Sequence, residues 1–532
     1  MRNSIVHPRS LAISALVALV ATQSVFAQSP TAPRETRKSR PATTTAVTPG
    51  SFPAPAPAPN ANKLNDYDPA RMMAGHVLRR VGFGPSPKDM ETVLRVGVNG
   101  YIEQQLNPSQ IDDSALDAIL PAEPKNQFNT YTRWRRWYLR MVASKRQLQE
   151  KMTLIWHEHF ATSINKVGYA EFMSDQEELF RRNSLGSFRQ MLIDITKDRA
   201  MVIWLDNNYN DGNATDDEGN PVPPNENYAR ELLQLFSMGP EKMNPNGTFV
   251  IGGDGRPVVN YTETDVRETA RALTGFYVDY KKNKKTEFEP YAHDSRNKTI
   301  LGRTVVGRSG ADGAREVEDV VDILMDHPST APFISKMLIG KLATETPTPA
   351  YVQRVSTVFA NTDGDLKATV RAILTDPEFT SDEVVRSQFK TPIEHFVGLF
   401  RAFEAKTKGY SLVDWTYETR HLIYAPPSVF SFYRPGSKGT LVNTALVTIR
   451  DSEADDFVSG YDASINVPKI IRKKRLTTPE LAVDYLSDAL LAGPLQEEVR
   501  SRIIDYMDGR VDEEKFRGAM WLVIVSPDFQ RN

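Results

Sequence analysis

The chain has 532 residues, of which 40% are hydrophobic and 25% are charged, with 35 Pro, 30 Gly and no Cys. This composition is that of an ordinary globular protein, and it excludes collagen and a wholly disordered chain. Without cysteine the protein has no disulfide, thiolate metal ligand, cysteine nucleophile or iron–sulfur cluster. The net charge of −2 argues against nucleic acid as a partner, because the chain carries no excess of positive charge.

The first 27 residues have the pattern of a secretory signal peptide. Arg2 and Arg9 form a basic start, Leu11–Val20 is an uncharged apolar run, and Val25-Phe26-Ala27 fits the small-x-small rule for cleavage before Gln28. This run is shorter than the about 20 apolar residues that span a membrane; an uncleaved N-terminal anchor is the alternative. We predict a protein of the periplasm, the cell surface or the extracellular space, with no transmembrane span once the signal peptide is removed.

Residues 28–62 form a segment rich in Pro, Ala and Thr, including the alternating Phe52–Pro59 stretch. A segment of this composition has too few apolar side chains to build a core, and its Pro-rich part favours an extended chain. We therefore predict a disordered linker at 28–62 that precedes a folded body at 63–532.

The body is predicted to be mostly α-helical, a large multi-helix unit with a small β or loop insertion. Apolar residues recur at helical spacing through most of it, whereas strand-like alternation is confined to 248–251, 257–260 and 303–306. Explicit start signals are the capping box Thr262–Asp265 and the Thr391-Pro392 pair. The sequence leaves open whether the body is one domain or two. Helices are predicted at 69–80, 87–95, 98–106, 133–164, 175–198, 226–238, 263–276, 316–326, 330–342, 349–360, 366–375, 390–404, 479–491, 495–507 and 513–525.

The first polar motif is Trp156–Phe160, in which two histidines flank a glutamate. Histidine is a common zinc ligand, but residues two apart on a helix point about 200° apart and do not chelate one ion as an i, i+4 pair does. The helical wheel places His157 and His159 at opposite edges of an apolar stripe and turns Lys151 and Glu158 towards solvent. We interpret both histidines as half-buried structural residues, with a polar active site and metal ligation as alternatives.

The second motif is Asp206–Asn210, which precedes an acidic loop. The loop has the composition of a calcium-binding loop. Counted from Asp206, however, Asp211 occupies the sixth position, where such a loop needs glycine, and this favours a solvated loop. On the helix that follows, Glu226 and Arg230 have the i, i+4 spacing of a surface ion pair. Glu231 lies at the edge of the apolar stripe, and we expect it to be buried and bonded to a histidine or an arginine.

Two further motifs carry acidic groups and a histidine. On the helix that starts at the capping box, Glu263 is predicted to lie near the interior edge, while Glu268 and Arg271 face outward as an i, i+3 pair. His293 and Asp294 fall in a predicted loop, which makes them better candidates for chemistry than helical residues because loops often carry function.

These motifs lead to two hypotheses. The first is an exported scaffold or binding protein that acts with a partner, and the second is a hydrolase-like enzyme with a polar His/Glu/Asp pocket. Partly buried His and Glu need partners, so we expect the motifs to pack around one polar pocket. No cofactor motif is evident, and a divalent metal stays open as an alternative. The candidate catalytic residues are His157, His159, Asp206, Glu226, Glu231, Glu263, His293 and Asp294.

The order of the motifs resembles that of a known family. The segments that carry the resemblance are Arg79–Pro85, Trp156–Phe160, Asn225–Leu233, Tyr261–Val266, Ala270–Phe276, His293-Asp294 before Leu301–Arg303, Lys390–Glu394 and Pro426–Phe432. Together they resemble the bacterial DUF1800 family across about residues 67–532. The resemblance implies an exported, mostly helical protein without an established activity. It also suggests a DUF1501-like exported protein as partner, since the two families are often encoded side by side. One departure is Ser431–Gly436, where the family usually has Gly-Trp.

The signal peptide can be tested directly. We expect the exported protein to begin at Gln28, because the apolar run and the small residues before it match the requirements of signal cleavage. Mass spectrometry of the N-terminal peptide from the exported fraction measures this. Retention of residues 1–27 would support the uncleaved anchor.

Overall fold

A computed structural model describes residues 67–280, 285–433 and 443–532. The predicted signal peptide at 1–27 and the predicted linker at 28–62 lie outside the described residues. Helices dominate the described part, which confirms the mostly α-helical fold class. The α-helices are Pro69–Val81, Pro87–Val96, Val98–Gln105, Thr130–Ala143, Gln147–Phe160, Ile164–Val167, Ala170–Asn183, Phe188–Thr196, Arg199–Trp204, Asn227–Glu231, Glu263–Ala272, Glu316–Met325, Thr330–Leu342, Pro349–Asn361, Leu366–Leu374, Pro392–Ala402, Tyr410–Glu418, Thr444–Ser459, Val467–Lys474, Pro479–Leu491, Glu497–Met507 and Glu513–Val525.

Shorter helical elements fill several connections. A π-helix at Leu232–Ser237 continues the helix Asn227–Glu231. Short 3₁₀-helices occupy Pro108–Gln110, Ser114–Ala118, Pro290–Ala292, Gly310–Arg315 and Pro377–Thr380.

Local capping explains several helix starts. Thr262 accepts a hydrogen bond from the backbone N–H of Asp265, and the Asp265 carboxylate accepts one from the Thr262 N–H. Thr391 and Glu394 form the same reciprocal pair. Both boxes satisfy N–H groups that have no partner within the helix, so these two predicted starts are confirmed.

Two long predicted helices are interrupted. The predicted 133–164 helix divides at Ser144–Arg146, where the Ser144 hydroxyl accepts a hydrogen bond from the Arg146 N–H. Side chains of this type compete with the helix for backbone groups, which is the physical reason for the break. The predicted 175–198 helix likewise divides between Asn183 and Phe188.

The β structure of the described residues is small, as predicted, and comprises two antiparallel hairpins and a few isolated bridges. Strand β1 (Phe276–Val278) pairs with β2 (Thr286–Phe288), and β3 (Lys298–Ile300) pairs with β4 (Arg303–Val305). Of the predicted strands only the one at 303–306 is a named strand. The other two segments contribute only isolated bridges, Glu241 to Val259, Met243 to Phe249 and Ile251 to Pro257.

The helix Gln147–Phe160, here called the central helix, connects two apolar cores. Trp156 and Phe160 pack into one core, and Leu154 packs into the other. Both cores belong to one compact unit, Tyr67–Asn532. Within the described ranges no helix is long and apolar enough to cross a membrane.

Candidate functional site

The polar face of the central helix is buried. Lys151 and Glu158 are each about 5% exposed or less, so the prediction that they face solvent is wrong. The Lys151 ammonium donates to the Glu394 carboxylate on the helix Pro392–Ala402. A helical wheel identifies which residues are polar, but it does not show that another part of the chain covers them.

Glu158 is the centre of a buried polar network. The Lys341 Nζ donates to Glu158 Oε2 at 2.6 Å, His421 Nε2 lies 3.2 Å from Glu158 Oε1, and the Tyr433 hydroxyl donates to Oε2 at 3.3 Å. Burial by itself raises the pKa of Glu158, but Lys341 and His421 outweigh it and hold this pKa well below its ordinary value. Glu158 is therefore ionised and paired within the protein.

The network leaves almost no free space. The cavity between its members has a volume of about 10 Å³, which is about the room that one water molecule needs. Two segments that carry the family resemblance meet here, Trp156–Phe160 and Lys390–Glu394, together with Tyr433. These segments do lie together, but their contacts hold the helices together and leave no space for a substrate. The cavity is lined by Lys151, Leu154, Ile155, Glu158, Lys341, Thr391, Glu394 and Tyr433.

His157 and His159 each have a separate backbone partner. His157 Nε2 accepts a hydrogen bond from the Tyr424 N–H at 3.0 Å, and His159 Nε2 lies 3.1 Å from the Phe236 carbonyl oxygen. Burial lowers the pKa of both imidazoles to about 4. Across the described residues no group of three or more His, Asp or Glu side chains is arranged to hold a metal ion.

Three of the predicted acidic residues form three ion pairs near the surface. Asp206 accepts hydrogen bonds from Lys166 at 2.6 Å and from the amide of Asn227 at 3.0 Å. Arg230 joins Glu226 to Glu263, donating at 3.0 Å to the first and at 2.8 and 2.9 Å to the second. The Glu263 side chain is 68% exposed, so its predicted place at the interior edge is wrong.

Glu231 and Glu268 both differ from expectation. Glu231 is half-buried, and among the described residues its buried Oε2 has no hydrogen-bond partner; burial raises its pKa. The neighbouring Arg230 does not serve it, because that guanidinium is committed to Glu226 and Glu263. Glu268 was expected to be exposed, but only 20% of its side chain is, since strand β3 covers it and the Thr299 N–H donates to it at 3.0 Å.

The His293–Asp294 loop is fastened by buried charges. Asp294 accepts hydrogen bonds from Arg271 at 2.7 and 3.2 Å. His293 Nε2 lies 3.1 Å from Glu316 Oε1, and the Lys298 Nζ donates to Glu316 Oε2 at 2.6 Å. Burial alone raises the pKa of Glu316, but the bonds from His293 and Lys298 outweigh it and lower that pKa. These contacts tie the loop and β3 to two helices.

The eight predicted residues therefore fall into separate groups. The histidines lie on the central helix, Asp206 pairs with Lys166, Arg230 joins two glutamates, and the His293–Asp294 loop has its own charges. In the described part of the chain these segments are neighbours in the fold, but they do not surround a common pocket. The prediction of one shared polar pocket is therefore wrong.

An open cleft lies between the helices Thr130–Ala143 and Ala170–Asn183. This charged cleft has a volume of about 360 Å³. Its basic residues at 133, 136 and 140 and its acidic residues at 171, 175 and 178 follow helical spacing, which is the sequence signal that could have revealed it. It is lined by Glu123, Pro124, Lys125, Arg133, Arg136, Arg140, Glu171, Ser174, Asp175, Glu177, Glu178 and Tyr424.

Two buried residues at this cleft connect it to the central helix. The Tyr424 hydroxyl donates to Glu177, whose pKa is raised by burial. The backbone N–H of the same tyrosine donates to His157. Tyr424 also has a φ of +63°, a conformation that a bulky residue adopts only where surrounding contacts enforce it. Sequence reasoning missed Glu177 and Tyr424 as site residues.

The pH dependence of stability tests the burial of His157. Its folded pKa of about 4 lies below the unfolded value of about 6.5, so the unfolded chain binds the extra proton. The neutral His157 therefore makes its full contribution to the free energy of unfolding above pH about 6.5. As the pH falls from there towards 4, the free energy of unfolding decreases by up to about 3 kcal/mol. We expect His157→Gln, whose amide oxygen can still accept the Tyr424 N–H, to reduce the slope of unfolding free energy against pH in this window, measured by urea denaturation.

The matched control is Tyr138→Phe. The Tyr138 hydroxyl accepts the Ile423 N–H at 3.3 Å, next to the His157 contact, but it does not titrate in this window. This variant should lower stability equally at each pH. An unchanged slope for His157→Gln would show that His157 is not buried in its neutral form.

Comparison with known proteins gives one match. The family model DUF1800, a protein family of unknown function, matches residues 76–531. The searches of curated proteins and of solved structures found no match. Because the family model covers most of the sequence, this chain belongs to the DUF1800 family.

Proposed function

We propose that this is an exported protein of the periplasm or the cell surface that binds a partner and acts as a scaffold. The proposed export rests on the basic start and the apolar run of residues 1–27. The proposed partner is a DUF1501-like exported protein, on the basis of the family association.

One observation carries the binding role. The polar segments that converge in the buried network enclose about 10 Å³, whereas sites for small molecules measure about 300–1,000 Å³. Their charges are also matched within the protein, as Lys151 is by Glu394 and Glu158 is by Lys341. Side chains that are paired and enclosed in this way support the fold and are not available to a substrate.

The charged cleft is the proposed docking surface. Arg140 on one wall faces Glu178 on the other, with the closest atoms 3.8 Å apart, and Lys125 is exposed at the rim. A surface with both signs of charge selects a partner with the complementary arrangement, and such charges contribute to specificity and to the association rate. A polar segment of the partner that carries both signs fits this cleft.

A hydrolase-like enzyme is the second candidate, and one feature of the cleft favours it. Glu177 is a buried carboxyl that lines an opening of substrate size, and burial raises its pKa even though it is paired with Arg181. A carboxyl with a raised pKa in a cleft is typical of a general acid.

Charge reversal at the rim and on one wall of the charged cleft tests the docking surface. We expect Lys125→Glu/Arg140→Glu to weaken binding of the purified DUF1501-like protein from the same organism at least about tenfold, because it removes complementary charge. Isothermal titration with the full chain measures the affinity. Arg502→Glu is the control, since the exposed Arg502–Glu498 pair lies on another helix.

Unchanged affinity of the double variant would contradict docking at this cleft. Glu177→Gln separates the two candidate functions, because the amide keeps the volume but does not donate a carboxyl proton. A binding protein retains its affinity in this variant, whereas a hydrolase loses turnover of the chromogenic esters or glycosides that the wild-type chain cleaves.

A further inference from the structure

An open groove lies beside the turn Asp206–Asn210. This amide groove has a volume of about 500 Å³, which lies within the range of small-molecule sites. Neither the buried network nor the charged cleft uses it. It is lined by Lys166, Ile203, Asp206, Asn208, Tyr209, Asn210 and Asn225.

The turn that forms the groove is held rigidly in an unusual shape. Asp206 and Tyr209 both have a φ of +58°, which is uncommon outside glycine and most unusual for a bulky residue. The conformation persists because other bonds enforce it. The Asn207 amide donates to the Leu273 carbonyl at 3.1 Å, and the Tyr209 N–H donates to the Phe276 carbonyl at 3.2 Å. Residues with a strained backbone that surrounding contacts hold in place are frequently found at ligand-binding sites.

Two asparagines of the groove retain unused donors. Asn208 Oδ1 accepts the Val278 N–H at 2.9 Å, and Asn225 Oδ1 accepts the Asn227 N–H at 2.9 Å. Their Nδ2 groups have no partner among the residues that the structure describes. Each side chain is thus fixed by its oxygen and presents its NH₂ group, which is suited to a hydroxyl or carbonyl oxygen of a ligand.

An aromatic ring completes the groove. Tyr209 is 65% exposed, and its ring stacks on that of Tyr277 with the centroids 5.6 Å apart and the planes at 25°. Tyr277 supports one face, and the exposed face is left for a ligand. A rigid aromatic ring offers a large apolar contact at low cost in conformational entropy.

The charges of the groove compensate each other. Lys166 and Asp206 form an ion pair at 2.6 Å with both side chains about 40% exposed. An anionic ligand would meet Asp206 and a cationic one would meet Lys166, so the groove favours an uncharged ligand. The combination of one aromatic face, fixed amide donors and balanced charge matches the alternating apolar faces and hydroxyl groups of a sugar.

We propose that the amide groove binds a neutral saccharide, with a sugar ring against the exposed face of Tyr209 and its hydroxyl groups bonded to Asn208 and Asn225. This inference goes beyond the proposed function and does not depend on the partner protein. It gives the rigid turn Asp206–Asn210 a role in binding a ligand of a stated class.

A glycan array carrying neutral hexose and N-acetylhexosamine oligosaccharides tests the proposal with the full chain. We expect binding that is insensitive to salt, because uncharged ligands are not screened. Tyr209→Gly removes the ring while glycine accepts the positive φ without strain. Asn225→Asp keeps the oxygen that accepts the Asn227 N–H but loses the donor. Each variant should weaken binding of the best array glycan at least about tenfold.

Tyr506→Ala is the matched control, since Tyr506 is a surface tyrosine, 39% exposed, on the helix Glu497–Met507. It should bind as the wild-type chain does. Absence of binding to every neutral glycan overturns the proposal, as does equal binding by Tyr209→Gly. Binding confined to sulfated or uronic-acid glycans and abolished by salt would also overturn it, because that pattern indicates attraction by charge.

Discussion

The fold depends on the ion pairs that charged side chains of the central helix form in the protein interior. An ionised side chain is stable in an interior only when an opposite charge meets it with good geometry. Lys151 meets Glu394, Glu158 meets Lys341, and Glu150 meets Arg181 at 2.9 Å. Each partner lies on a different helix, so the three pairs fix where the helices Pro392–Ala402, Thr330–Leu342 and Ala170–Asn183 pack. Removal of one partner from such a pair costs about 3–5 kcal/mol, because the remaining charge stays buried.

Sequence patterns predicted the helices well where the determinants are local. The predicted helices at 479–491 and 513–525 match the observed Pro479–Leu491 and Glu513–Val525, because apolar spacing and capping side chains act within a few residues. The helix Thr444–Ser459 was not predicted. Its polar and apolar residues do not separate into two faces, and Arg450 and Glu453 on it are buried. Its burial depends on distant parts of the chain.

The candidate site was less predictable, for the same reason. The two histidines are bonded to backbone groups of Tyr424 and Phe236, which no local pattern indicates. Lys151 and Glu158 lie seven residues apart on one face, and a face with two charges ordinarily faces water. Their counter-charges come from residues 243 and 183 positions away.

The same pairing indicates where this protein can meet other molecules. A substrate would enter the central network only if it displaced at least one buried ion pair, and the remaining charge would then be unmatched. The surface clefts carry no such penalty. In the amide groove the free donors of Asn208 and Asn225 exchange water for a ligand without breaking any bond of the fold. At the charged cleft, Tyr424 donates to Glu177 through its hydroxyl and to His157 through its backbone N–H, so this surface is bonded directly to the central helix. A ligand bound at either surface cleft would therefore leave the buried ion pairs of the central helix intact.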